Sequence, residues 1–323
     1  MLRIGVLGAA RIAPAALVNP GRLVPGVEVA AVAARDRSRA EAFAAKHGIP
    51  RIHASYDELI ADPALDAIYN PLPNALHASW TIRALEAGKH VLCEKPFTSN
   101  EAEAREVAEA AEKSGTVVME AFHYRYHPLA ERMREIVAEL GELRLVEAWM
   151  CFPLPRFSDI RYSLELAGGS MMDAGSYAVH VARLLGGGEP AVVAARTLER
   201  SPGVDRAMSA ALRFPSGASG RVHSSMWSGM LLKIGVRVRG TRGEMRVNNF
   251  VAPQFFHRLA YTVDGVSRRE KVPGEATYTC QLRVFESAVR TGMGNLTPPA
   301  DSVANMSVID AIYRAAGLSP RGT

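Results

Sequence analysis

Through the first 122 residues, short apolar runs alternate with stretches whose apolar side chains recur every three or four positions. The runs predict strands over 3–8, 28–33, 67–70, 90–93 and 117–120. The periodic stretches predict helices over 38–47, 55–61, 74–87 and 100–113. Near-continuous apolar runs separated by helices are what a parallel sheet covered on both faces requires. Gly48, Gly88 and Gly115 each follow a helical pattern, where a left-handed cap residue belongs.

The pattern changes after His123. A helix over 128–140 stops at Gly141, and extended segments follow over 143–150, 191–197, 207–214, 220–227, 233–239, 244–248 and 258–263. Lys233-Ile234-Gly235-Val236-Arg237-Val238-Arg239 alternates polar and apolar residues, as a strand with one wet face does. Helical patterns return at 169–185, 277–290 and 302–316. The second part therefore reads as a large, mostly antiparallel open sheet with helices on one face. The other face must be covered too, and self-association into a homodimer or homotetramer is the simplest cover. The expected domains are 1–122 and 123–323, with the helix near 302–316 packing back on the first.

Composition narrows the class. At 323 residues the chain suits two domains, and 48% hydrophobic with 22% charged residues is ordinary for a folded soluble protein. The net charge is +5, but the arginines are scattered. No basic arm, zinc-finger spacing or aromatic RNA-binding motif is present, which argues against nucleic acid as a partner. The three cysteines, Cys93, Cys151 and Cys280, are far apart and read as free thiols in a reducing compartment, the cytoplasm. No signal-peptide pattern opens the chain, and no run of about 18 apolar residues predicts a membrane span.

Candidate chemistry begins at Ile4-Gly5-Val6-Leu7-Gly8-Ala9-Ala10-Arg11-Ile12-Ala13. An apolar run ends in a glycine turn and a helix-compatible segment follows, the order a dinucleotide-binding βαβ unit needs. Gly8 is the first glycine of that pattern, while Ala10 and Ala13 stand at the second and third positions. The turn from Gly8 through Ala10, Arg11 and Ile12 would meet a pyrophosphate at a helix N-terminus. The second strand ends without an acidic residue: Ala34 is followed by Arg35, Arg37 and Arg39. Guanidinium groups here favour a 2′-phosphate, hence NADP over NAD. The same arginines also suit a solvated helix start with Asp36 as N-cap.

Further along, Asn70-Pro71-Leu72-Pro73-Asn74 and His77 follow a strand, at the carboxyl edge where such sheets bind ligands. Asn74 suits a helix N-cap, and plain turn chemistry also accounts for the loop. Glu94-Lys95-Pro96 again follows a strand. A lysine facing the cleft there can orient a hydroxyl and lower a neighbouring acid's pKa. In Gly168-Gly169-Ser170-Met171-Met172-Asp173-Ala174-Gly175-Ser176-Tyr177-Ala178-Val179-His180, glycines open a helix, and Asp173 and Tyr177 share a face with His180 near it. This set could move a proton, although Tyr177 and His180 also suit buried packing. No His/Asp/Cys set has metal-ligand spacing.

Together these segments resemble the Gfo/Idh/MocA oxidoreductases along nearly the whole chain. The resemblance implies an α/β chain: an N-terminal Rossmann domain and a C-terminal α/β domain with a large open sheet. It implies that Lys95 sits beside the nicotinamide and that Tyr177 is the acid/base, as in the glucose-fructose oxidoreductase and dihydrodiol dehydrogenase branches. Met119-Glu120-Ala121-Phe122-His123-Tyr124-Arg125-Tyr126-His127-Pro128 resembles the dihydrodiol and xylose dehydrogenase branch, which brings His123 and Arg125 to the substrate side. The expected substrate is a sugar or cyclic diol. Two rival classes are a non-catalytic NADP-binding sensor and an imine or pyrrole reductase resembling biliverdin reductase. The presence of both Lys95 and Tyr177 argues against the sensor.

Overall fold

The computed structural model describes all 323 residues. They divide into two compact units: Met1–Thr98, Ala102–Tyr126 and Tyr278–Val303 form the first, and Ser99–Glu101, His127–Thr277 and Ala304–Thr323 the second.

In the first unit β1 (Leu2–Leu7) leads through a wide helical turn, Pro14–Val18, into α1 (Asn19–Gly21). Then come β2 (Val27–Ala33), α2 (Arg37–His47), β3 (Arg51–His53), α3 (Tyr56–Ala61) and β4 (Ala67–Asn70). The unit continues with α4 (His77–Glu86), β5 (His90–Cys93), α5 (Glu101–Ser114, its first residue in the second unit) and β6 (Val118–Glu120). The sheet order is β3-β2-β1-β4-β5-β6 with every pairing parallel. This is the doubly wound dinucleotide-binding order, and its strand order reverses between β1 and β4. The five expected strands are present, and β3 adds a sixth: three half-polar residues, too short to show a period. Helix starts follow local chemistry. Asp36 accepts the Ser38 backbone N–H at 2.9 Å, and Ser55 accepts that of Glu58 at 3.0 Å.

A helix from far along the chain, Thr277–Thr291, completes this core: Leu282 and Phe285 are buried with Ile4, Val6, Leu17 and Tyr69. Residues 295–297 cover the sheet edge at β6. The Glu120 N–H donates to the Thr297 carbonyl at 3.1 Å, and the Asn295 amide donates to the Val118 carbonyl at 2.8 Å. A strand edge left bare would offer unpaired donors and acceptors to other chains.

The second unit holds α6 (Pro128–Glu139), β7 (Leu143–Cys151), α7 (Ser176–Gly186), β8 (Ala191–Ser201), β9 (Val204–Arg213) and β10 (Ser219–Ser225). It continues with β11 (Lys233–Gly240), β12 (Gly243–Asn248), β13 (Arg258–Val263) and β14 (Val266–Glu270). The helix Thr277–Thr291 of the first unit is thus α8, and α9 spans Pro299–Ala315. The eight strands run β14-β13-β12-β11-β7-β10-β9-β8, antiparallel except for β7 beside β10. Helix α7 packs on β7, β10 and β11. The opposite face carries an ion-pair ladder instead of a second helix layer: Arg221 lies 3.3 Å from Glu147, and Arg237 bridges Glu147 and Glu244 at 3.6 and 2.5 Å. β14 was not expected: Val-Ser-Arg-Arg-Glu is exposed and charged, as a protected edge strand is. No helix is long and apolar enough to cross a membrane.

Candidate active site

In the first unit the candidate residues gather at the carboxyl ends of the strands. Gly8 ends β1, its N–H donating to the Ala33 carbonyl at 2.7 Å. Its φ of +85° is a left-handed value that glycine adopts without strain, and a Cβ there would lie 3.2 Å from Leu72 Cδ2 and 3.5 Å from Tyr56 Oη. Arg11 and Ile12 are exposed in the same turn. At the end of β2, Ala34 is buried while Arg35 and Arg39 are exposed. Arg37 is tied instead to Glu41 at 2.9 Å, and Asp36 caps α2, so the helix-start reading and an anion-binding reading coexist. Tyr56, which no sequence signal marked, stands between these features. Burial raises its phenol pKa against the pull of the Arg35 and Arg39 charges, and its ring meets Trp80 edge-on at 4.9 Å.

Asn70 and His77 are buried and act on backbone. The Asn70 amide donates to the His77 carbonyl and to Thr81 Oγ1, both at 3.1 Å. His77 Nδ1 lies 2.8 Å from the Pro96 carbonyl and Nε2 2.7 Å from the Leu72 carbonyl. Burial pulls its pKa down to about 4, although both carbonyls favour a ring proton. These bonds stitch the Pro71–Pro73 loop, with half-buried Leu72, to α4 and to the segment after Lys95. Asn74 does not cap α4: it begins a single tight turn over Asn74–Leu76 whose N-cap is Pro73, and the N-cap of α4 is Leu76. Two nearby prolines fix that turn and leave no extended cap position for Asn74.

Past β5 the buried Glu94 accepts the Tyr69 hydroxyl at 2.8 Å, and the Lys95–Pro96 peptide is cis. His123 is buried 4.0 Å from the Tyr278 ring, and Arg125 is half-buried two residues on. Burial first, and then the Lys95 charge, hold the His123 pKa down at about 3. Burial and the Glu94 charge push the phenols of Tyr69 and Tyr278 up. Tyr69, Glu94, Lys95, His123 and Tyr278 thus feel one another's charges. Tyr278 arrives on α8, far along the chain, and no local pattern could have announced it.

In the second unit the Gly168–His180 segment is helical from Met171, but its first five residues form a wide i→i+5 turn before α7 begins. Such turns recur at functional positions. Asp173 lies in that turn, half-buried, with Arg161 Nε 3.0 Å from its carboxylate. The Asp173 charge is the main cause raising the Arg161 pKa. Arg161 comes from the loop before the glycines and was not anticipated. Tyr177 and His180 are buried on α7, at 5% and 3% exposure.

Comparison with known proteins agrees with both halves. Residues 2–122 match a family described as "Oxidoreductase family, NAD-binding Rossmann fold", and residues 130–246 match the "GFO/IDH/MocA C-terminal domain". The chain is 42% identical over 319 residues to a D-xylose 1-dehydrogenase (NADP(+)) of Haloferax volcanii, covering 98% of this chain and 97% of that one. It is 38% identical over 234 residues to a trans-1,2-dihydrobenzene-1,2-diol dehydrogenase of Sus scrofa, covering 70% and 68%. A 3-ketoreductase from Actinomadura kijaniata, crystallised with NADP and TDP-benzene, superposes with a TM-score of 0.90 at 29% identity over 97% of each chain.

Proposed function

The chain belongs to the Gfo/Idh/MocA oxidoreductase family, and on that premise we propose that it is an NADP-dependent dehydrogenase or reductase acting on a secondary alcohol or carbonyl of a sugar or cyclic diol. The likeness to the Haloferax xylose dehydrogenase along nearly the whole chain carries this reading. The first unit fits the cofactor. A Cβ at Gly8 would fill the cradle edged by Leu72 and Tyr56, so the glycine leaves room for a pyrophosphate, which Ala10, Arg11 and Ile12 would help to hold. Arg35 and Arg39 would take the 2′-phosphate, since no carboxylate stands at Ala34 to repel it. Pro71, Leu72 and Asn74 would border the cofactor on a loop that Asn70 and His77 keep in shape, with Glu94 and Lys95 beyond it.

When bound, NADP supplies or accepts the hydride. Tyr177 gives or takes the hydroxyl proton at its phenolic oxygen. Lys95 assists by favouring the phenolate with its positive charge. Asp173, held by Arg161, orients the substrate, and His123, Arg125 and His180 complete the substrate side. Acid/base help of this kind is worth about 10²–10⁴ in rate. Tyr177→Phe and Lys95→Ala should each lower kcat on a sugar and diol panel by that order while NADPH binding persists. Full turnover in either variant removes its role, and no turnover of any panel member by the unaltered protein favours a sensor.

The uncovered face of the eight-stranded sheet supports a homodimer or homotetramer. Leu232 and Phe256 are 73% and 67% exposed beside a groove of about 820 Å³ lined by Trp149, Lys233 and Arg246. Light scattering that finds a monomer at micromolar concentration would reject it. None of the three cysteines is in a disulfide, which suits the reducing cytoplasm.

A further inference from the structure

Asp205, near the start of β9, has no exposed surface and accepts four hydrogen bonds. One carboxylate oxygen takes the Ser170 hydroxyl at 2.8 Å and the Met171 N–H at 2.7 Å. The other takes the Tyr313 hydroxyl at 2.9 Å and Arg321 Nη2 at 2.7 Å. Arg321 is itself 1% exposed. Its Nε donates to the Gly168 carbonyl at 2.7 Å, its guanidinium lies 4.1 Å from the Tyr313 ring centre, and its carbonyl accepts the Asn100 amide at 2.8 Å. Every one of these residues belongs to the second unit.

Burying an ion pair is expensive, and a well-packed apolar cluster often stabilises a fold as well or better. What this pair holds is therefore informative. Its bonds converge on Gly168, Ser170 and Met171, the turn that leads into Asp173 and Tyr177. The turn is moulded to the pair: Gly169 has φ +135°, and a Cβ on it would fall 2.1 Å from the Asp205 carboxylate. The Arg161 loop is tied to the same place, since its carbonyl accepts the Gly169 N–H at 2.8 Å and the Ser163 carbonyl accepts that of Gly168 at 2.8 Å. The segment held this way is the wide i→i+5 turn, a geometry rare in proteins, which this chain also uses at Pro14–Val18.

We propose that Asp205 and Arg321 are positioning residues, which set the turn carrying Asp173, the Arg161 that grips it, and through α7 the phenol of Tyr177. They touch neither substrate nor cofactor. The proposal rests on the reading of Tyr177 as acid/base, and a displacement of about 1 Å at such a group can cost on the order of 10²-fold in rate.

Two conservative variants test it. Arg321→Lys keeps the charge but cannot reach both Asp205 and the Gly168 carbonyl. Tyr313→Phe deletes one hydrogen bond to Asp205 and keeps the ring, so it carries the test should the lysine variant fail to fold. With turnover assayed well below each variant's Tm and normalised to NADPH-binding sites, kcat should fall about 10–100-fold for Arg321→Lys and less for Tyr313→Phe. The NADPH dissociation constant should stay within about twofold, and the pH profile of kcat should shift. In a Tyr177→Phe background, Arg321→Lys should lower kcat no further, because groups acting as one unit are not additive. Full turnover in Tyr177→Phe would remove the acid/base reading and this proposal with it. Lost turnover in Tyr177→Phe with unchanged kcat and pH profile in the network variants would overturn the proposal alone and leave a purely structural ion pair.

Discussion

Two turns of this chain are opened by glycine, and they use the space differently. At Gly8 the missing Cβ leaves a gap edged by the far ends of Leu72 and Tyr56, 3.2 and 3.5 Å away. At Gly169 it would strike the Asp205 carboxylate at 2.1 Å and Arg321 Nη2 at 2.8 Å. Both backbones are left-handed, at φ +85° and +135°. On the proposed reading the first glycine keeps room for a group from outside, while the second yields its room to the protein's own buried anchor. A glycine turn is therefore not a ligand signal in itself: what borders the absent side chain decides.

The strongest way to break this contrast is Gly169→Ala. The new methyl must displace a buried carboxylate from its arginine, so the fold should lose at least about 3 kcal/mol in urea unfolding, the scale of disrupting a buried pair. Next comes Arg35→Ala on the cofactor side. A charge-assisted hydrogen bond is worth roughly 1.5–3 kcal/mol, so NADPH affinity should fall by about 10–100-fold in a fluorescence titration. NADH affinity should not change, and a parallel loss of both would mean that Arg35 does not read the 2′-phosphate. Gly8→Ala should cost about tenfold in NADPH affinity and only about 1–2 kcal/mol of stability, from its left-handed backbone. If Gly8→Ala proved the more destabilising of the two glycine changes, the distinction between an outward and an inward glycine would collapse.

The contrast also explains how far the sequence could be read. The parallel sheet was legible because β1, β2, β4 and β5 are buried on both sides and so are nearly unbroken apolar runs. The antiparallel sheet was legible from alternation, as in β11. β3 and β14 were not, because one has three residues and the other is a charged edge with no buried face. Among the candidate residues, Gly8, Arg35, Lys95 and Tyr177 stand beside recognisable turns or strand ends. Tyr278, Asp205 and Arg321 do not. Each is brought in from a distant element by tertiary packing, and Arg321 follows α9 in a segment with no periodic pattern. Of the two readings Asn74 allows, helix cap and plain turn, the structure shows the turn, because cap preference is local whereas Asn70 and His77 shape the loop around it.

The remaining effect concerns protons, and it grows as the pH falls. The first unit buries an imidazole beside a cation, and His123 is therefore held neutral with a pKa near 3, below the unfolded value of about 6.5. Between those two values the unfolded chain binds a proton that the folded chain refuses. Stability is then complete above pH 6.5 and declines as the pH falls toward 3, by at most about 1.4 kcal/mol per pH unit for this one group. His77, also held neutral with a pKa of about 4, pulls in the same direction over the upper part of that window. His123→Gln removes only one share, so thermal midpoints measured from pH 7 to pH 4 should fall less steeply in the variant, without becoming flat. Curves that stay parallel would mean that His123 takes up its proton in the folded state, and that the Lys95 ammonium does not stand close enough to repel it.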